Sequence, residues 1–261
     1  MTSDLPLSGR VSLVTGATSG IGRGIAEHFA SLGARVVVHG RDEARAREVV
    51  TSLTRDGHES AAITGDLADV DTCGRVAEFT IDRFGGIDIL VNNAASTERG
   101  YLADVPVEVW DRIMHVNLRA PFLLLQASIA SMRARGGGSI INIGSINAYI
   151  GEPRLGPYAV SKGGLMTLTR NAASTLARDR IRVNQINVGW TLTEGEDRVK
   201  RSDRGGADWL DAAVATRPFG RLLSPRDVAL AAAYFASDDS ALVTGTIMDL
   251  EQHPVGAPPN L

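Results

Sequence analysis

The sequence predicts an α/β protein built on a doubly wound parallel sheet of about seven strands flanked by helices. Short apolar runs rich in Val and Ile recur along the chain, and they lack the polar alternation of a half-exposed strand. Segments with helical spacing lie between these runs, so strand and helix alternate throughout. The chain has 261 residues without a repeat or a linker, and we expect one domain over residues 1–261.

The seven predicted strands share a short length and a β-branched, apolar composition. They cover residues 11–14, 36–38, 61–63, 87–91, 140–143, 181–186 and 247–250. After the first strand, Ile21, Ile25, Phe29 and Leu32 form one apolar stripe on a helix that Gly33 ends. Right-handed crossovers between parallel strands place the ligand site beyond their carboxyl ends, where the strand order reverses.

Composition and charge argue against several classes of partner. The net charge is −3 and the chain lacks a Lys/Arg-dense block, so nucleic acid and anionic membranes are not expected as main partners. Neither a membrane-spanning apolar run nor a signal peptide is evident, which predicts a cytoplasmic protein that acts on a small molecule. The lone Cys73 excludes an intrachain disulfide and is interpreted as a packing residue, and no metal site is predicted.

A glycine-rich turn follows the first strand and leads directly into the first helix. Glycines let the backbone approach a pyrophosphate, which then meets the free N–H groups at the positive end of the helix dipole. An ordinary turn is the alternative, but the position between a strand and a helix favours dinucleotide binding. The turn spans 15–22, and its candidate binding residues are Gly16, Thr18, Ser19, Gly20, Ile21 and Gly22.

The end of the second strand favours NADP(H) over NAD(H). Gly40 offers no carboxylate to a ribose 2′-hydroxyl, whereas Arg41 can hold a 2′-phosphate through paired hydrogen bonds. Asp42 is interpreted as the N-cap of the next helix, although it could instead reach the ribose. Asp66, after the third strand, is compatible with binding the adenine amine or with a simple turn.

Three polar segments after later strands predict a catalytic site. They are the Asn pair at 92–93, Ser145, and Tyr158 with Lys162 on one helix face behind Pro157. An ammonium and an oxidised nicotinamide beside a phenol lower its pKa, which lets Tyr158 exchange a proton near neutral pH while Ser145 binds the same substrate oxygen. Each residue alone would be unremarkable, and the upstream turn makes their combination informative.

Together these motifs resemble the short-chain dehydrogenase/reductase family, in its single-domain branch with a Rossmann-type fold. The resemblance runs from Thr15 to about Gly245. The family's TGxxxGIG and NNAG motifs are matched at 15–22 and 92–95. Its catalytic Asn, Ser and YxxxK are matched by Asn117, Ser145 and Tyr158 with Lys162.

The resemblance implies a role for each matched residue. Tyr158 would be the general acid/base, Lys162 would hold the nicotinamide ribose and lower the pKa of Tyr158, Ser145 would orient the substrate, and Asn117 would maintain a water-linked proton relay. Further cofactor contacts are implied at Asp66, Leu67, Asn93, Ala94, Tyr158, Lys162, Val188, Gly189, Thr191 and Thr193.

Asn117 also stands out from its helical context. Pro121 has no N–H to give to the carbonyl four residues earlier, which belongs to Asn117 in the predicted helix over 110–132. We hypothesise that this carbonyl accepts a water that links Lys162 to solvent. A simple helix kink is the alternative.

The sequence departs from the family pattern at three places. Ala95 stands where NNAG has its glycine, and Val188 replaces a proline near the carboxamide site. Glu251 and Gln252 replace the usual paired glycines after the last strand. The resemblance implies a homo-oligomer, either a dimer or a homotetramer, because members of the family often form tetramers.

The expected reaction is reversible hydride transfer between NAD(P)(H) and a secondary alcohol or ketone. Residues 96–101 and 146–155, Trp190 and a substrate lid at 194–215 are expected to select the substrate. Glu152, Arg154 and Arg99 suggest a small polar one, such as a sugar, polyol or hydroxy acid. The alternatives are a 3-oxoacyl thioester reductase and a non-catalytic dinucleotide-binding sensor.

Overall fold

A parallel sheet of seven strands forms the centre of the molecule in the computed structural model, which describes residues 5–202 and 208–256. Its strands run in the spatial order β3-β2-β1-β4-β5-β6-β7. The order reverses between β1 and β4, which pair with each other. The strands are β1 (Val11–Val14), β2 (Arg35–Gly40), β3 (Ser60–Thr64), β4 (Ile89–Asn92), β5 (Gly138–Ser145), β6 (Ile181–Val188) and β7 (Ile247–Leu250).

All seven predicted strands are present, and this confirms the fold class. Their bounds differ from the prediction because ladder pairing, rather than apolar character, sets where a strand ends. β5 and β6 continue past their apolar cores because Gly144 pairs with Asn187 and Ser145 pairs with Val188. β4 begins two residues later than predicted, at Ile89.

Nine α-helices among the described residues connect the strands and cover the sheet. They are α1 (Gly20–Ser31), α2 (Glu43–Arg55), α3 (Val70–Phe84), α4 (Val107–Met114), α5 (Ala120–Ala134), α6 (Gly156–Leu176), α7 (Glu194–Ser202), α8 (Trp209–Ala215) and α9 (Pro225–Ala236). Gly33 follows the end of α1 with a φ of 90°, as its predicted role as a helix stop requires.

Two apolar layers hold the helices to the sheet. Alternate strand residues point to opposite faces, so Val36 and Val38 join one layer while Val37 joins the other. The first layer contains Phe29 of α1 and Phe235 of α9. The second layer is formed with α3, α5 and α6. Burial on both faces explains why strands such as β2 carry apolar residues at consecutive positions.

Cys73 lies within the second layer, on α3. Its thiol is free and buried, and this desolvation raises its pKa to about 11. The residue therefore packs as a small apolar group, as the sequence predicted. Among the described residues, the helices are too short or too polar to cross a bilayer.

Candidate active site

The glycine-rich turn forms a close-packed cradle at the start of α1. A side chain at Gly22 would collide with the carbonyl oxygen of Gly16, so the turn requires glycine at this position. The N-cap residue Ser19 makes no side-chain capping bond within the described chain. The first N–H groups of α1 are therefore available to an anion, and the helix dipole favours a negative charge there.

Thr15 and Asn93 fasten this turn to the loop that follows β4. The hydroxyl of Thr15 donates to the carbonyl of Val91 and accepts from the backbone N–H groups of Asn93 and Ala94, at 3.0 and 3.1 Å. The Asn93 side chain donates to the carbonyls of Thr15 and Gly16, at 2.9 and 3.1 Å. These bonds join the two edges of the strand-order reversal, and they make the cradle rigid before a ligand arrives.

A crevice of 1110 Å³ runs along the carboxyl ends of the strands and meets this cradle. The structure brings all of the predicted cofactor residues to its walls: Gly16, Thr18, Ser19, Gly20, Ile21, Gly22, Arg41, Asp66, Leu67, Asn93, Ala94, Tyr158, Lys162, Val188, Gly189, Thr191 and Thr193. Its volume lies just above the range of about 300–1,000 Å³ typical of small-molecule sites. The crevice thus has room for an extended dinucleotide together with a small substrate.

The two acidic residues considered for the adenosine part of the cofactor, Asp42 after β2 and Asp66 after β3, already make hydrogen bonds within the protein. Asp42 caps α2 by accepting from the N–H of Arg45 at 3.1 Å, which confirms its N-cap interpretation. Asp66 accepts from the N–H of Ala68 at 2.9 Å and pairs with Arg112 at 3.0 Å. The backbone bond to Ala68 is the turn arrangement foreseen as one alternative for Asp66.

Ser145, Tyr158 and Lys162 meet in the middle of the crevice. Ser145 is the last residue of β5, while Tyr158 and Lys162 share one face at the start of α6. The hydroxyl of Ser145 accepts from the N–H of Asn147 at 3.1 Å and also makes a hydrogen bond with the Tyr158 phenol. Lys162 is buried and donates to the carbonyl of Ile143 at 2.7 Å, with its Nζ 5.7 Å from the centre of the Tyr158 ring.

The pKa of Tyr158 in this protein differs in direction from the sequence expectation. Burial raises the pKa, the hydrogen bond with Ser145 lowers it, and the negative charge of Glu196 raises it further. The expected lowering by Lys162 is not produced by the protein alone, because its ammonium is directed at the carbonyl of Ile143. Burial also lowers the pKa of Lys162 to about 8.

Asn117 lies in a π-helical turn, His115–Arg119, between α4 and α5. The predicted helical stretch over 110–132 is present as α4, this π turn and α5. The π turn widens the backbone ahead of Pro121, which has no N–H to donate. The Asn117 side chain accepts from the N–H of Ser96 at 2.7 Å and donates to the carbonyl of Ser96 and the hydroxyl of Ser161, at 2.9 and 3.1 Å. Asn117 therefore connects the loop after β4 with the helix that carries Tyr158.

The wall opposite β5 is formed by α7, part of the predicted lid. The Trp190 indole donates to Glu196 at 2.8 Å, and its ring lies 4.9 Å from the Nζ of Lys200 and 5.6 Å from the guanidinium carbon of Arg217. Trp209 packs near Trp190, at 6.0 Å between ring centres. Residues 203–207 of the predicted lid lie outside the described residues.

Sequence reasoning assigned Glu196 and Lys200 to the substrate lid without a role of their own, and both line the crevice. It missed Arg217, which follows the predicted lid and which no local motif distinguishes. Glu251 also lines the crevice. The sequence did contain a signal for Glu251, because it stands where the family has one of two paired glycines.

The comparisons with known proteins agree with this geometry. Residues 16–251 match the family model described as "Enoyl-(Acyl carrier protein) reductase". An "Uncharacterized oxidoreductase" of Thermotoga maritima is 37% identical, over 92% of this chain and 93% of that protein. Dehydrogenase/reductase SDR family member 4 of Sus scrofa is 36% identical, over 92% of this chain and 85% of its own.

The chain belongs to the short-chain dehydrogenase/reductase family. Among solved structures of the family, L-sorbose reductase from Gluconobacter frateurii, complexed with NADPH and L-sorbose, is 31% identical and superposes with a TM-score of 0.93. That match covers 98% of this chain and 100% of the reductase. The protein is accordingly an NAD(P)-dependent dehydrogenase/reductase of the short-chain type.

Proposed function

We propose that this protein interconverts a secondary alcohol and a ketone, with Tyr158 as the group that exchanges the proton. The observation that carries the proposal is the shared position of the Tyr158 phenol, the Ser145 hydroxyl and the buried ammonium of Lys162 in the crevice that the phosphate cradle enters. A nicotinamide dinucleotide bound in that crevice supplies or accepts the hydride.

Three side chains of the protein, Ser145, Tyr158 and Lys162, bind the reactants and transfer the proton. The Ser145 hydroxyl accepts from the N–H of Asn147, and its proton, which is directed at the Tyr158 phenol here, can turn to donate to a substrate oxygen. The raised pKa of Tyr158 keeps the phenol protonated at neutral pH, which is the form that gives a proton to a developing alkoxide. Lys162 uses one of its three N–H donors for the hydrogen bond to the carbonyl of Ile143, so the other two can bind a ribose hydroxyl.

Asn117 acts in this proposal by holding two walls of the site together. Its amide fixes the backbone of Ser96 on one side and the hydroxyl of Ser161 on the other. The water-linked relay implied by the family pattern is compatible with the π turn, because such turns alter which carbonyls are bonded within the helix.

NADP(H) is the proposed dinucleotide. A side chain at Gly40 would collide with Thr18, so this strand end has no room for a carboxylate that would favour a free 2′-hydroxyl. Asp42 is committed to capping α2, and the exposed Arg41 lines the crevice beside it. The NADPH in the related L-sorbose reductase supports the same choice.

A small polar substrate is favoured over an acyl thioester. Glu152, Glu196 and Glu251 line the crevice with Asn147, and carboxylates make a poor channel for an acyl chain. The substrate named for L-sorbose reductase, a polyhydroxy ketone, fits the same chemistry. The matching family model, an enoyl-(acyl carrier protein) reductase family, favours the second candidate, a reductase of carrier-bound acyl groups.

A homo-oligomer and a cytoplasmic location remain predictions. An apolar groove on the α4–α5 side, lined by Met114, Leu118, Phe122 and Leu168, supports a subunit contact. Phe122 in this groove is 41% exposed, and contact with a second copy of the chain would remove this apolar surface from water.

The experiment is NADPH oxidation with a panel of polyhydroxy ketones, simple ketones and 3-oxoacyl thioesters, followed by nicotinamide absorbance. Tyr158→Phe should lower kcat by about 10²–10⁴-fold while NADPH binding, followed by fluorescence titration, is retained. Tyr234→Phe, at an exposed tyrosine on α9 outside the crevice, is the matched control. Tight NADPH binding without turnover of any carbonyl would support the sensor and refute the enzyme.

A further inference from the structure

Glu251 is a buried acidic residue at the carboxyl end of β7, and the mechanism above does not use it. Its side chain is 5% exposed and lines the crevice. One carboxyl oxygen, Oε1, accepts from the N–H of Gln252 at 2.6 Å and lies 3.7 Å from a guanidinium nitrogen of Arg217. The other oxygen, Oε2, is buried and has no hydrogen-bond partner within the described part of the chain.

The unpartnered oxygen lies beside the segment that follows β6. Gly189 bonds through its N–H to the carbonyl of Leu250 at 2.9 Å, so the ends of β6 and β7 run side by side. A side chain at residue 189 would collide with Oε2, which shows that the carboxyl group occupies the space above that glycine. Gly189, Trp190 and Glu251 all line the crevice, so the carboxyl group of Glu251 lies in the crevice wall with Oε2 packed against Gly189.

Burying a carboxyl oxygen without a hydrogen-bond donor costs free energy, and the neighbouring cations do not supply that donor to Oε2. Arg217 stands too far away for a hydrogen bond with Glu251, and its guanidinium also lies over the Trp190 ring. Lys200 occupies a second position over that ring. Arg217 compensates the charge of the Glu251 carboxylate without satisfying its acceptor capacity.

We propose that Oε2 of Glu251 accepts a hydrogen bond from a hydroxyl group of the substrate, which makes Glu251 a specificity-determining residue for polyhydroxy ketones and polyols. This inference rests on the proposed function of the crevice. An ammonium on the substrate would meet the like charges of Arg217 and Lys200, and a carboxylate would be repelled by Glu251 itself. A neutral hydroxyl donor satisfies the oxygen without either conflict.

The first test compares the wild-type enzyme on matched ketones with NADPH. The pairs are L-sorbose with methyl butyl ketone, and dihydroxyacetone with acetone, so that members differ only in hydroxyl groups. Sites built to bind a substrate hydroxyl reject the analogue that lacks it by large factors, and we expect kcat/KM to favour the hydroxylated member by about 10²-fold or more. Equal use of both members would overturn the inference while leaving the proposed oxidoreductase intact.

The second test uses Glu251→Gln, which keeps the shape of the side chain and removes its charge. We expect kcat/KM to fall about 10- to 100-fold for the hydroxylated ketones and to change less than threefold, roughly, for their counterparts. Asp239→Asn, at an exposed carboxylate away from the crevice, is the matched control. An equal loss on both members of a pair would show that Glu251 only supports the wall, and would overturn the assignment.

These measurements distinguish a failure of the proposed oxidoreductase function from a failure of the role assigned to Glu251. Failure of the wild type to reduce any carbonyl would refute the proposed function itself. Reduction without a hydroxyl preference would refute only the role of Glu251. Should Glu251→Gln fail to fold, equal use of both members of a pair by the wild type would still overturn the inference, because that comparison needs no variant.

Discussion

Lys162 is predicted to destabilise the protein that it makes active. The chain contains two lysines, Lys162 and Lys200, and only the first is fully buried. Its pKa falls from 10.5 to about 8 because burial penalises the ammonium. At about 1.4 kcal/mol per pKa unit, holding this charge inside the protein at pH 7 costs about 3 kcal/mol.

The sign of the pH dependence follows from linkage. Below pH 8, folded and unfolded chains both carry the proton and the full penalty applies. Between pH 8 and 10.5 the unfolded chain binds more protons than the folded one, so the contribution of Lys162 to stability rises with pH. Above pH 10.5 both states are neutral and the penalty is gone.

Lys162→Met should therefore stabilise the dinucleotide-free protein at pH 7 and not at pH 10. Removing the ammonium also leaves the carbonyl of Ile143 without its donor, and this loss reduces the gain in the free energy of unfolding by about 1 kcal/mol. The expected gain in the free energy of unfolding is about 2 kcal/mol at pH 7 and close to zero at pH 10.

Urea unfolding of both proteins at the two pH values measures this difference, and Lys200→Met is the matched control. Lys200 is partly exposed and lies 3.8 Å from Glu196, so its replacement shows what the loss of a lysine outside the core does to stability. Because the chain has two lysines, a ¹³C-lysine NMR titration also gives two Cε signals, one of which should titrate near pH 8. An unchanged stability difference between pH 7 and pH 10 would refute the reasoning.

The remaining predictions concern the cofactor and the π turn. Arg41→Gln should weaken NADPH binding about 10- to 100-fold by removing charge-assisted hydrogen bonds and should leave NADH binding nearly unchanged. Titration against Arg45→Gln, an exposed arginine on α2, shows whether the effect is local, and equal losses for both dinucleotides would contradict it. Pro121→Ala should restore a helical N–H, displace the hypothesised water and slow proton transfer. Unchanged rates and solvent isotope effects would count against that relay.

The order of strands and helices was predictable because it depends on local patterns. The three consecutive valines of 36–38 and the β-branched residues within 181–186 are local signals that indicate strands. The strand ends were not predictable, since Ser145 and Val188 extend the ladder only because they pair with each other. The π turn at Asn117 was likewise hidden, because a helical pattern does not show how a missing donor at Pro121 is accommodated.

The sequence by itself determined the class of this protein. The glycine-rich turn and the Tyr158–Lys162 spacing are local features whose chemistry follows from a few adjacent residues, and the comparisons confirmed the family that they indicate. The tertiary structure alone decided the charges around the substrate. Glu196 and Glu251 come from separate elements, and only the fold brings them to one crevice. Burial and distance, which local sequence does not encode, turn an ordinary acidic side chain into one with an unfilled acceptor.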